Sequence, residues 1–355
     1  MEPDGGGMLL FDFANRYKPS DSADLKWDLA SELKDKLEDS GRGGFDVVAF
    51  THLDDDHIDR ASEFFSFKHA AKYQGAGRAE IGELWVPAGA ITETNLPEEA
   101  RLIRQEARYR LLEGKGVRVF SRPRLLEDWL ASNGRDLDER DDLITDAGQR
   151  VPDYEKSRDN IEFFVHSPFA HRQNDGGLVD RNQHSLVLQV VFQYGGNDVR
   201  MFLGADSVDV ALKNIVNISE SHGNQERLEW DIMKIPHHGS HKSLAPDKGV
   251  HVTTPLDEVE DLFKRYGRRG GIMVCPSRSV PQDDSDALPP HRQAVAYYES
   301  VKKHLDGEFK ITMEHPRASR PEPLVIIIDD FGARIRKSAL DAGVAITSQQ
   351  APRAG

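Results

Sequence analysis

The sequence predicts an α/β protein, and three observations carry that prediction. Short apolar runs rich in strand formers recur along the chain, bounded by glycine, proline or polar turns. Amphipathic stretches with helical spacing separate them over about the first ninety residues, the alternation expected of a layered α/β fold. Three of the apolar runs end abruptly in histidine and aspartate, which places metal-ligand side chains at strand ends.

Taken in order, Met8–Phe13 (MLLFDF) is expected as a first strand. Asp21–Ser40 follows as an amphipathic helix, with Leu25, Leu29, Leu33 and Leu37 on one face. Phe45–Phe50 (FDVVAF), preceded by Gly41, Gly43 and Gly44, reads as a buried strand, and a helix begins near Ile58. Glu83–Pro87 is the next strand. Pro97–Leu112 and Pro123–Ala131 have helical patterns on either side of a short strand, Val117–Phe120. Together with the charged run Arg135–Asp142, residues 95–156 read as a helical insertion or lid, with a partly disordered loop over Arg135–Lys156. Arg101, Arg104, Arg108 and Arg110 in this stretch either contact phosphates or solvate a helix face. It is also the expected docking arm for a protein partner or a second copy.

Strands resume at Ile161–His166. Ser185–Tyr194 and Val199–Leu203 flank the turn Gly195-Gly196-Asn197 and predict a hairpin. A helix near Val208–Ile218, strands at Asp231–Ile235 and Gly271–Pro276, a helix at Arg292–His304 and a last strand at Pro323–Asp329 complete the pattern. Residues 1–335 are expected as one domain, and 336–355 as a disordered tail.

Composition narrows the partners. Against 46 basic residues stand 60 acidic ones, a net charge of −14, which argues against a uniformly basic nucleic-acid face and leaves room for a local patch. The one cysteine, Cys275, excludes a disulfide within the chain and a cysteine-based zinc site. No stretch reaches transmembrane length, so no membrane partner and a cytoplasmic location are expected.

The chemistry concentrates after Phe50. Thr51–His57 (THLDDDH) has no apolar period and crowds His52, Asp54, Asp55, Asp56 and His57 together. Such a loop is either an acidic turn capping the following helix or a metal site, because imidazole nitrogen and carboxylate oxygen are the usual ligands of divalent ions. Asp206 follows the strand that ends FLGA, and His237 and His238 follow DIMKIP. Singly these read as a turn acid and a helix-start pair. Side chains at the ends of neighbouring strands converge on one crevice, and four to seven such donors suit a dinuclear centre.

The set His52-x-Asp54-x-Asp56-His57, with Asn182–Leu188 (NQHSLVL), FLGADS and KIPHHGS, resembles the metallo-β-lactamase superfamily. It is most similar to the hydrolase domain of ComEC-type competence proteins and their soluble relatives, over roughly Met8–Ile328. The resemblance implies a four-layer αββα sandwich with metals at the edge between its sheets. It implies that His52 and Asp54 hold one metal, that Asp56 and His57 hold the other, and that Asp206 bridges them. It implies that His237 or His238 completes the second metal's ligand set, its neighbour lying behind the ligands or acting on the leaving group. His166 and His184 are candidates for the family's separate middle histidine, as ligands or as residues lining the substrate site. Asp54 stands where the family has histidine. Two divalent ions are therefore expected, zinc or manganese, with magnesium or iron as alternatives.

Two such ions make hydroxide available near neutral pH, and the chain has neither a GxSxG elbow nor a P-loop. The resemblance assigns catalysis to Asp56, Asp206 and His238, and implies phosphodiester hydrolysis of a nucleic acid or nucleotide. Ser240, Lys242 and His291 are expected to contact the substrate. Two other readings stand beside it: a hydrolase of a lactone- or thioester-type carbonyl, and a non-catalytic subunit of a larger assembly.

Overall fold

The computed structural model describes residues 1–3, 6–75, 77–170 and 181–338. It is an α/β structure built on one parallel and one mixed sheet. The first sheet runs in sequence order: β1 (Leu9–Phe11), β2 (Gly44–Ala49), β3 (Glu80–Pro87), β4 (Val117–Phe120) and β5 (Ile144–Thr145), every pair parallel. Each step needs a crossover, and crossovers are right-handed. A sheet that always steps to the same side therefore gathers its helices on one face. Alternation does the rest. Val48, Phe50, Leu84, Val86, Val117 and Val119 pack with helical Ile103, Ala107, Leu111 and Leu126, while Val47, Ala49, Trp85 and Phe120 point the other way.

The second sheet has the order β11 (Glu308–Ile311), β10 (Gly267–Cys275), β9 (Trp230–Lys234), β8 (Asn197–Leu203), β7 (Val187–Tyr194) and β6 (Ile161–Ser167). β6, β7 and β8 pair antiparallel, and β8 to β11 pair parallel. The expected hairpin is β7 and β8, closed where Tyr194 faces Asn197, with Gly195 and Gly196 both at positive φ as such a tight turn requires. Its side chains Leu188, Val190 and Leu203, with Ile161, Phe163 and Val165, meet the inner face of the first sheet in one cluster. Phe202 and Met233 lie on the outer face with the helices Asp209–Ser221 and Arg292–Leu305. Three cores separated by two sheets are compatible with a helix–sheet–sheet–helix sandwich.

Several elements differ from expectation. Residues 95–156 supply β4 and β5 and the crossover helix Glu98–Glu113, whose Ala100, Leu102, Ile103, Ala107 and Leu111 are buried. A stretch so tied to the sheet is part of the core and not a lid over it. Its charged run forms a 3-10 segment, Asp138–Leu143, leading into β5. Arg104 donates to the Glu93 carbonyl, Arg108 to that of Ile91, and buried Arg110 to Glu106 and to the carbonyls of Ile81, Gly82 and Gly116. These three arginines satisfy buried polar groups, so they are unavailable to phosphate.

The first helix starts only at Leu29, capped by Asp28, whose carboxylate accepts from the Ser31 N–H. Upstream, Asp21 and Asp24 accept from backbone N–H groups two residues on, local bonds that compete with helix. The last apolar run, Ile326–Asp329, pairs with Gly332–Ile335 in a separate antiparallel hairpin. Of the expected tail, 339–355 lie outside the described residues. Among the described residues no helix is long and apolar enough to cross a membrane.

Candidate metal centre

The carboxyl ends of β1, β2, β8 and β9 deliver the chemistry. Asp12 follows β1, His52 to His57 follow β2, Asp206 follows β8, and His237 and His238 follow β9. Asp55–Ile58 form a single helical turn whose first residues are acidic, favourable at a helix N-terminus. Beyond β9 the backbone is strained. His237 and His238 have φ of 48° and 53°, and Ala205, just before Asp206, has φ of 47°. Left-handed backbone costs a residue with a side chain about 1–2 kcal/mol. Such strain, held in place by surrounding structure, gathers at functional sites. Asp12, at φ of 57°, belongs to the same group, although residues such as Ser121 and Asn160 elsewhere share the conformation.

Gly204 lets the β8 and β9 loops close on each other. A Cβ there would lie 2.6 Å from the Pro236 ring. The result is a cluster of Asp56, His57, Asp206 and His238 whose donor atoms all lie within 4.8 Å of one another. His57 Nε2 is 3.1 Å from His238 Nε2 and 3.1 Å from Asp206 Oδ1. His238 Nε2 is 3.3 Å from Asp206 Oδ2 and 3.2 Å from Asp56 Oδ2. Donors bound at about 2.0–2.1 Å to one tetrahedral ion sit about 3.3 Å apart, so these spacings fit a metal shell.

The orienting bonds fit as well. His57 presents Nε2 inward because its Nδ1–H donates to Asp12 Oδ2 at 2.8 Å. His238 does the same through Nδ1–H to the Pro276 carbonyl at 2.7 Å. Asp12 is itself held by the Thr51 N–H and hydroxyl. Metal-binding histidines are ordinarily fixed in this way. Beside the cluster, His52 Nε2 is buried without a hydrogen-bond partner, 3.6 Å from Asp54 Oδ2 and 3.9 Å from Asp206 Oδ2. A buried, orphaned imidazole nitrogen facing two carboxylates has the chemistry to hold a metal ion.

Electrostatics point the same way. Burial alone pushes His57 down, yet the charges of Asp12 and Asp206 and their hydrogen bonds outweigh it and raise it to about 10. For His238 burial is likewise overcome by bonds to Asp206 and Asp56, and it rises to about 9. Burial raises Asp206, but the positive charge of His57 and the His238 bond hold it well below the usual carboxylate range. The bond from His238 leads the causes that depress Asp56. Burial and the neighbouring charge of His57 lower His52 to about 4. The cluster thus concentrates negative charge, which without a metal the two protonated imidazoles offset.

The remaining expected residues are placed as follows. His237 stands outside the four; its N–H bonds the Ala205 carbonyl and its Nδ1 is buried without a hydrogen-bond partner. Asp54 accepts from Arg181. Ser240 is buried, its Oγ accepting the Lys242 N–H, and the Lys242 side chain is exposed. His291 is tied into this loop, its Nδ1 accepting from the His241 N–H at 3.2 Å. His184 is buried two residues before Leu186, whose N–H bonds the Thr51 carbonyl. His166 lies beside Phe202 with its ring tilted and donates Nε2–H to the Arg227 carbonyl, so this histidine's bond serves the sheet's outer face. Two participants were missed by sequence reasoning. Asp12 fell inside the expected strand Met8–Phe13 and stands past a strand only because β1 ends at Phe11; Arg181 carried no signal.

An α/β fold with a buried His/Asp cluster able to hold a divalent metal is compatible with a metallo-hydrolase. No family model matches the chain, and no curated protein matches it.

Proposed function

We propose that the chain is a metal-dependent hydrolase of the metallo-β-lactamase type, cleaving phosphodiesters of a nucleotide or a single-stranded nucleic acid. The observation that carries it is the tetrahedral-edge spacing of Asp56, His57, Asp206 and His238, with His52 Nε2 orphaned alongside. In this reading residues 1–335 form one catalytic unit, in which Asp56, His57, Asp206 and His238 would hold one ion and His52 and Asp54, with Asp206 beside them, a second. When bound, the ions supply Lewis acidity toward the scissile group and lower the pKa of the attacking water.

The chain's own residues do the rest. Asp12 and the Pro276 carbonyl hold the two imidazoles with Nε2 inward. Asp56 is the most exposed of the four donors, which puts it within reach of an arriving substrate and its water. In the loop that follows His238, exposed Lys242 offers a phosphate a local positive charge on an acidic protein. The net charge of −14 favours a short or single-stranded substrate over a long duplex.

The test is elemental analysis of bound metal paired with hydrolysis of bis-p-nitrophenyl phosphate, single- and double-stranded DNA, and RNA. Mn²⁺, Mg²⁺ and Zn²⁺ are each supplied, with Asp56→Ala and His57→Ala as controls. Metal-dependent cleavage lost in both variants supports the reading. Bound metal with no phosphodiester cleavage turns the substrate class to lactones or thioesters, and absence of both metal and activity overturns the catalytic reading.

A further inference from the structure

Two carboxylates of the centre have different company. Among the described residues Asp206 and Asp56 form ion pairs only with histidines. Asp54 is shared. Its Oδ2 faces the orphaned His52 Nε2 at 3.6 Å, while its Oδ1 accepts from Arg181 Nη1 at 2.5 Å. The same guanidinium forks onto Glu93, with Nη2 at 2.6 Å and Nε at 3.0 Å from its carboxylate, and Nη1 also reaches the Leu53 carbonyl at 3.3 Å. Arg181 is therefore clamped at three points with its positive charge directed at one ligand of one position only.

We propose that Arg181 makes the two metal positions unequal: it shares the Asp54 carboxylate with any ion held at His52 and Asp54, so that position fills at higher metal concentration than the other. The inference rests on the metal-centre reading above. A guanidinium and a divalent cation on the two oxygens of one carboxylate repel each other, and each takes electron density the other needs. Glu93 offsets part of the guanidinium charge. Arg181 and Glu93 thus set the occupancy of the second position in opposite directions.

The experiment titrates metal-free protein with Mn²⁺ by isothermal calorimetry, with bound metal counted after dialysis and folding checked by circular dichroism. The full chain is expected to show a tight and a weaker step. Arg181→Gln tightens the weaker step by about tenfold and leaves the tight one within about threefold, the size of effect for one neighbouring partly screened charge. Glu93→Gln removes the offsetting charge and weakens the same step, and Arg181→Lys, which keeps the charge, leaves it near its original value. If Arg181→Gln does not fold, the Glu93→Gln shift carries the test. Weakening in both Arg181→Gln and Glu93→Gln would make Arg181 a mere support for Asp54 and overturn the proposal, as would no change in either. Failure of every form to bind metal overturns the metal-centre reading instead.

Discussion

Asp12 and His57 lie forty-five positions apart in sequence and meet at 2.8 Å, the Asp12 Oδ2 accepting the His57 Nδ1–H. That bond fixes which imidazole nitrogen faces Asp206 and His238. Asp12→Asn keeps the shape and removes the charge. It is expected to lower metal affinity by about 10–100-fold, the usual effect of losing a carboxylate behind a ligating histidine. Equilibrium dialysis against Mn²⁺ or Zn²⁺ measures it, and unchanged affinity would remove Asp12 from the site.

Metal binding should depend steeply on pH. In the metal-free protein His57 and His238 are raised to about 10 and about 9, but their Nε2 atoms are only 3.1 Å apart, so they titrate as a pair sharing protons. Stability from this proton binding is fully present below the unfolded histidine value near 6.5 and is lost as pH rises through 9 to 10. A metal must displace those protons. Affinity is therefore expected to rise with pH through that window, with about one proton or more released per ion at pH 7. Calorimetry in two buffers of different ionisation enthalpy reads the release directly, and a buffer-independent heat would contradict it.

Gly204→Ala is expected to damage the centre without touching a ligand. The added methyl meets the Pro236 ring at 2.6 Å and the Lys234 carbonyl at 3.2 Å, neither of which is a flexible side-chain end. Separating the two loops costs about 1–3 kcal/mol of stability, as overpacking generally does. Bound metal should fall as well, since Asp206 and His238 stand on opposite sides of that contact. Chemical denaturation and a metal count together test it; a stable variant with full metal would show the loops to be independent.

His166 supplies a control remote from metal chemistry. Burial pushes it down to about 4, against an unfolded value of 6.5, even though it donates to the Arg227 carbonyl. The folded state therefore resists a proton that the unfolded chain accepts. Stability is full above 6.5 and falls as pH drops toward 4, by about 3 kcal/mol from this group. His166→Gln, which retains a donor, should flatten that part of the stability profile between pH 4.5 and 7 in urea denaturation. An unaltered slope would assign the acid sensitivity elsewhere.

Much of this molecule is legible from sequence. Near-continuous apolar runs such as FDVVAF and SLVLQVVFQY announce buried strands because both faces of each sheet are covered. A glycine pair between two such runs sets a tight hairpin, as at Gly195-Gly196. Loops that abandon apolar periodicity for His and Asp at strand ends mark where donors gather, and Asp56, His57, Asp206 and His238 do so. These are local properties of backbone and side-chain chemistry.

What tertiary structure alone decided are relationships between distant segments. Whether 95–156 stands apart or joins a sheet turns on strand pairing across the chain, which no local pattern encodes. Which of two adjacent histidines points inward depends on strained backbone at His237 and His238 and on the Pro276 carbonyl far along the chain. Asp12 stands behind His57 only once β1 pairs with β2, and Arg181 reaches Asp54 only once the two sheets bring their ends to one edge. An acid or an arginine costs little to place on a surface and so leaves no periodic trace; its role appears only with the partner it meets.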